Sequence, residues 1–241
     1  MFDSQKDKKW YSLDSLHEKH PTIYFFVDLF INIVVIVVLV YTVRTFLISP
    51  FQVFGPSMCN SLNYLNSVCQ DGFGEYLIVN KAVYYPFFGY RYRTPERGDI
   101  VVFRPPHNPN DFYIKRVIGL PGEKVKLQNG KVYIYSKDHQ SGWELPEPYL
   151  NDDNKDQTYP VPSQVVTSYV VPQGEYFVLG DNRKKSTDSR ACFSGPSDQA
   201  CSDTNNHFLE LGRIEGRASV VLWPFNKVRS LNNPDYSGLA K

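Results

Sequence analysis

The first long pattern in the chain is apolar and unbroken. From Leu29 to Ile48 it reads LFINIVVIVVLVYTVRTFLI, twenty residues in which only Asn32 and Arg44 are strongly polar. Coiled as an α-helix, such a run is about 30 Å long, the thickness of a bilayer's hydrocarbon core. Between Ile33 and Tyr41 it has no polar face to turn toward water, so the pattern predicts a membrane-spanning helix, with Arg44 snorkelling toward the near end. A cleavable secretory leader would have a shorter apolar part followed by an A-x-A cleavage pattern, which is absent here. Lys6, Lys8, Lys9 and Lys19 precede the run and favour a cytoplasmic N-terminus, although Arg44 at the other end weakens the asymmetry. The expected organisation is a cytoplasmic segment at 1–28, a transmembrane helix at 29–48 and an extracytoplasmic domain at 49–241.

After Ser49 the period changes. Short β-favouring runs alternate with turn signals: LIVNKAVYY, GDIVVFRPP, FYIKRVIGLPG, GKVYIY, VVTSYVVPQGEYFVLGD and RASVVLWPF. Pro121-Gly122, Asn129-Gly130 and Gln173-Gly174 punctuate them as turns. This spacing predicts a mostly β, antiparallel domain. Between Ser136 and Pro162 the strand signal fades into a polar, proline-rich interval, expected as a surface insertion. Its acidic residues Asp152, Asp153 and Asp156 lack the spacing of a calcium loop and read as a solvated face. Tyr84 to Arg93, YYPFFGYRYR, interleaves aromatics with arginines. Beside an anchoring helix, a place at the lipid interface or packing in a β core suits it better than base stacking.

Composition narrows the partners. Lys plus Arg number 26 against 25 Asp plus Glu, so there is no global positive field to attract nucleic acid. Cys59 with Cys69 and Cys192 with Cys201 are spaced so that two short disulfide loops can close outside the cytoplasm. No zinc-ribbon spacing or HExxH occurs, and neither a metal nor another cofactor is expected.

Three segments carry candidate chemistry. Ser57 lies in FGPSMCNSL, where Gly55 and Pro56 shape a tight turn that leaves the serine exposed; by itself this is also what a hydrogen-bonding loop serine looks like. Lys115 lies in DFYIKRVIGLPG, where strand alternation puts Tyr113, Lys115 and Val117 on one face and Ile114, Arg116 and Ile118 on the other. A lysine on a buried face loses proton affinity and can serve as a neutral base, whereas one on an exposed face is an ordinary cation; alternation alone leaves both open. In GDNRKKSTDSR, from Gly180 to Arg190, Asp181 or Asp188 can pair with Arg183 or Arg190, and Ser186 can orient another polar group. The loop supplies no histidine for a Ser-His-Asp triad.

Taken in order, GPSM around Ser57, GDIVVF at 98–103, YIKRVIGLPGE at 113–123 and GDNRKKSTDSR at 180–190 closely resemble the type I signal peptidase family, the bacterial leader peptidases. The resemblance implies a membrane-bound Ser-Lys endopeptidase that removes signal peptides from translocated preproteins, cutting after small residues. On it, Ser57 is the nucleophile and its backbone N–H an oxyanion donor, Lys115 the general base, and Ser186 the residue that orients the lysine. Asp181 and Arg183 belong to the supporting loop, with Asp188 and Arg190 as its ion pair. Phe54, Gly55, Met58 and Tyr113 are the candidate substrate walls. The implied partners are signal peptides of secreted preproteins, the lipid bilayer and a neighbouring protein translocation channel.

The chain departs from the family at three places. Gly55 stands where many relatives have a serine whose hydroxyl assists the oxyanion, and Asn60 and Ser61 replace a common proline and threonine. These departures keep a second class open, a membrane-tethered β binding or scaffold protein with an inactive protease-like site. The intact Ser57, Lys115 and GDNRKKSTDSR favour the enzyme.

Overall fold

A computed structural model of the chain describes residues 21–59, 61–87, 89–161, 166–194, 201 and 204–236. The N-terminal lysines, Asn60 and Pro162 lie outside the described residues. The chain divides into two compact units, before and after the Thr45–Phe46 peptide bond.

The first unit is a helix, α1, over Pro21–Thr42, followed by a π-helical turn at Val43–Leu47. It begins ahead of Leu29. Pro21 suits a first turn because its missing N–H is one the helix would leave unpaired, and TIYFFVD continues without a breaker. At the other end Ile48 opens a strand, since unbroken apolarity cannot distinguish the last turn of a helix from the start of a strand. No α1 side chain is buried by protein, and Pro21–Leu47 is long and apolar enough to cross a membrane. Its polar groups are satisfied locally: Asn32 Nδ2 donates to Asp28 O at 2.9 Å and Thr42 Oγ1 to Val38 O at 2.8 Å.

The second unit is mostly β, as the alternating runs predict. Its strands are β1 (Ile48–Phe54), β2 (Tyr64–Leu65), β3 (Val68–Cys69), β4 (Phe73–Asn80), β5 (Pro86–Phe87), β6 (Tyr90–Arg91), β7 (Ile100–Phe103) and β8 (Tyr113–Gly119). They continue as β9 (Lys124–Gln128), β10 (Lys131–Tyr135), β11 (Trp143–Glu144), β12 (Ser168–Val170), β13 (Glu175–Leu179), β14 (Leu209–Glu210), β15 (Ile214–Trp223) and β16 (Arg229–Ser230). The main sheet has the order β1-β4-β15-β7-β8-β13-β14, with β16 paired to β15. A second sheet has the order β11-β10-β9-β12, while β2-β3 and β5-β6 are small hairpins. The strand pairs of both sheets are antiparallel.

Alternation builds the cores. Val125, Leu127, Val132 and Ile134 of the second sheet pack on Ile118, Phe177 and Leu179 of the main one. Val53, Leu77, Val79 and Val102 pack on Met58 and Leu62, which follow Ser57 and so pin the serine turn to the sheet. In the Tyr84–Arg93 segment, Tyr84 packs in the β core, where it is buried and donates its hydroxyl to Asp99, whereas Tyr90 and Tyr92 are 84% and 85% exposed.

The interval expected as a surface insertion is built into the domain. Trp143 and Glu144 extend the second sheet by pairing with β10, Leu145 joins the core, and Asn154 and Thr158 are buried. Its polar composition is accommodated because partners distant in sequence satisfy it.

Candidate active site

The serine turn is held from below. Gly55 takes φ +81°, a region glycine enters without strain; its N–H donates to Gly72 O at 3.0 Å and its carbonyl accepts from Asn63 Nδ2 at 3.0 Å. Asn63 is buried and exchanges bonds with Glu75, N–H to Oε2 at 2.8 Å and Glu75 N–H to Asn63 Oδ1 at 3.0 Å. Arg229 completes the set by donating to both Glu75 oxygens at 2.7 and 3.0 Å. The Cys59–Cys69 disulfide ties the turn to the β2-β3 hairpin, and the second expected bridge, Cys192–Cys201, is also formed.

Lys115 projects from β8 and is 4% exposed. Its Nζ lies 2.9 Å from Ser57 Oγ and donates to Ile114 O at 2.9 Å. Burial pushes its pKa down to about 8; Asp188 and Asp181 oppose that drop and Arg190 assists it. The group can therefore lose its proton close to neutral pH. Arg116, on the opposite face by alternation, is equally buried, so β8 is covered on both sides from Lys115 onward.

The Gly180–Arg190 loop docks on the serine turn: Asn182 N–H donates to Ser57 O at 3.0 Å and its Nδ2 to Pro56 O at 3.1 Å. The expected Asp188–Arg190 pair is present, with Arg190 Nε and Nη2 each 2.9 Å from the carboxylate, which also accepts the Gly180 N–H at 3.0 Å. Burial raises the Asp188 pKa, but Arg190 and these bonds outweigh it and hold the carboxyl below its ordinary value.

Asp181 and Arg183 do not pair with each other through their side chains. Asp181 accepts from Arg116 Nε and Nη2 at 2.9 and 2.6 Å, and Arg183 reaches Glu147, Thr158 and Tyr149. Both partners are far away in sequence, and nothing in the loop's own composition points to them. Ser186 Oγ is buried near the Asp188 carboxylate without a bond of hydrogen-bonding geometry, and Lys115 is not among its partners. It lies over Gly180, where a Cβ would fall 2.1 Å from Ser186 Oγ and 2.5 Å from Ser57 O; only glycine lets these segments meet.

Ser57 and Lys115 open into a cleft of about 320 Å³, lined among others by Phe51, Phe54, Tyr113 and Lys185. Phe54 and Tyr113 stand where the sequence puts them. Gly55 and Met58 do not: Gly55 shapes the turn without lining the cleft, and Met58 is fully buried in the core. Phe51, Gln52, Phe112 and Lys185 are wall residues that sequence reasoning missed, although the β1 alternation of Phe51 and Val53 was a usable signal.

Among the described residues, two strand edges left free border the cleft. β1 is the last strand of its sheet, and β13 pairs with β8 only from Arg116 to Gly119, leaving Tyr113–Lys115 unpaired on that side. A profile of the family "Signal peptidase, peptidase S26" matches residues 26–223, from α1 to the end of β15.

The chain belongs to the signal peptidase family, peptidase S26. It is 34% identical over 215 residues to signal peptidase IB of Staphylococcus aureus, covering 85% of this chain and 93% of the relative. With signal peptidase I of Bacillus licheniformis the identity is 32% over 200 residues, covering 82% and 88%. A crystal structure of a signal peptidase I from Enterococcus faecalis is 31% identical with a TM-score of 0.38, covering 53% of this chain and 98% of that one. The signal peptidase match takes in Ser57, Lys115 and the whole Gly180–Arg190 loop.

Proposed function

We propose that this S26 family member is a Ser-Lys endopeptidase that removes signal peptides from translocated preproteins. The observation that carries this reading is the 2.9 Å contact between Ser57 Oγ and the Nζ of a buried lysine whose proton is weakly held. Neutral Lys115 takes the hydroxyl proton as Ser57 Oγ bonds to the scissile carbonyl carbon. The Ser57 N–H has no acceptor among the described residues and is free to meet the developing oxyanion. Collapse breaks the C–N bond, with the lysine's proton passing to the departing amine. Water, deprotonated by the same lysine, then releases the acyl group and restores the serine.

The two unpaired edges beside Ser57 suit an extended peptide, which adds backbone hydrogen bonds while alternate side chains enter the walls. Ser186, on the loop that docks on the serine turn and with its Oγ buried, is the residue we assign to steadying the lysine.

The apolar helix found among the described residues serves as the anchor, with the segment ahead of Pro21 cytoplasmic and the β domain outside, beside the channel from which preproteins emerge. Two disulfides agree with an oxidising compartment.

The test is single-turnover cleavage of a panel of signal-peptide-bearing substrates by the full chain in detergent, with Ser57→Ala and Lys115→Arg alongside. Both variants should fold, bind and fail to cut, because arginine keeps the charge but gives up no proton. A folded Ser57→Ala chain that cuts as well as wild type would falsify the assignment. Orientation is read separately, by protease protection of the β domain in sealed vesicles.

A further inference from the structure

Lys185 is exposed and lines the cleft beside Ser57, Lys115 and Thr187. Its place is fixed by the backbone: its N–H donates to Asn182 O at 3.1 Å, and Asn182 is itself bonded to the Pro56 and Ser57 carbonyls. Among the described residues no carboxylate lies within ion-pairing distance of Lys185, and none of the residues on the cleft wall is acidic. The two aspartates nearest the dyad are already committed, Asp181 to Arg116 and Asp188 to Arg190, all four buried. The other cleft amine, on Lys115, must be neutral to act. The working cleft therefore carries one uncompensated positive charge, held on the loop that touches the nucleophile. A charge set in a partly enclosed, apolar-walled cleft acts over several ångströms on whatever the cleft holds.

We propose that Lys185 is a specificity-determining residue that selects peptide substrates bearing an Asp or Glu side chain close to the scissile bond. The proposal rests on the peptidase reading above. The family resemblance implies small side chains at the first and third positions before the cut, so the carboxylate belongs at the second position before the cut or in the first three after it. Phe51, Phe54, Tyr113 and Ile114 give the rest of the wall its apolar character, so a carboxylate at one of these positions finds Lys185 as its partner.

The experiment compares matched peptides differing only by Asp for Asn at each of those four positions, cut by the full chain in detergent. For wild type at least one position should show an Asp-over-Asn ratio in kcat/KM of about five- to tenfold, the strength of a partly sheltered ion pair, and the ratio should shrink at high salt. In Lys185→Gln the ratio should fall to about one, and in Lys185→Glu it should invert, as expected for a pairwise charge effect. Lys184→Gln, altering an exposed neighbour outside the cleft wall, should keep the wild-type ratio. Because each ratio is internal to one variant, a general loss of activity does not move it. If wild type cuts the Asn peptides but no position gives a ratio above about two, or the preference survives in Lys185→Gln, the inference is overturned while the peptidase reading stands. If wild type cuts neither member of any pair, the peptidase reading falls and this inference with it.

Discussion

Replacing Lys115 with methionine should stabilise the protein, by an amount set by pH. The unfolded chain binds this proton with the ordinary lysine pKa of 10.5, the folded chain with about 8. Each unit of difference corresponds to about 1.4 kcal/mol, so keeping the lysine charged in the fold costs about 3 kcal/mol. The sign follows from counting protons. Below about pH 8 both states hold the proton and the full cost stands; between about 8 and 10.5 only the unfolded state holds it, so wild-type stability rises with pH. Methionine keeps an unbranched stem and has no proton to lose. The variant's advantage should therefore be largest near neutrality and shrink by about 2 to 3 kcal/mol by pH 10. Urea unfolding of the full chain in detergent, followed by tryptophan fluorescence at a series of pH values, measures it as a difference in which other titrations cancel. A gap that stays constant with pH, or widens as pH rises, would refute a lysine held in the fold with weakened proton affinity.

Further outcomes follow from the same geometry. With a substrate of fixed charge, kcat/KM should climb about tenfold per pH unit below about pH 8 and level off above it; a profile flat through that range excludes Lys115 as the base. Asp181→Asn strands the buried Arg116 guanidinium and should cost about 3 to 5 kcal/mol in urea unfolding, much of it regained in Asp181→Leu with Arg116→Met. Replacing Cys59 and Cys69 with serine opens a loop of sequence separation 10 and should lower stability by about 3 kcal/mol, with the remaining Cys192–Cys201 bridge confirmed intact by nonreducing mass spectrometry.

What was legible in the sequence was periodic or local. The apolar run located α1, the alternating runs located β7, β8, β10, β12, β13 and most of β4 and β15 but not β1, β9 or β11, and GPSM, YIKRV and GDNRKKSTDSR marked the segments that meet around Ser57. The partners of Asp181 and Arg183 were not legible, because Arg116 and Glu147 lie 65 and 36 residues away and only the folded sheet brings them in. Alternation assigned Arg116 to the face opposite the lysine correctly but could not say that this face is buried too. Met58 misled for a related reason: next to the nucleophile in sequence, it is turned inward by the turn that turns Ser57 out. Lys185 looked like one charge in a charged loop, and only the cleft wall sets it apart.

Asn182 grips the serine turn and Arg183, the next residue, sits in a socket made by Glu147, Thr158 and Tyr149. A displacement of the 147–158 stretch thus reaches Ser57 through a single peptide unit. That makes this stretch intolerant of changes in chain length, whatever its polar composition suggests. Lys137, Asp138, Gln140 and Ser141, by contrast, are exposed at the tip between β10 and β11, and they are where a tag or reporter domain could be spliced in without disturbing the nucleophile.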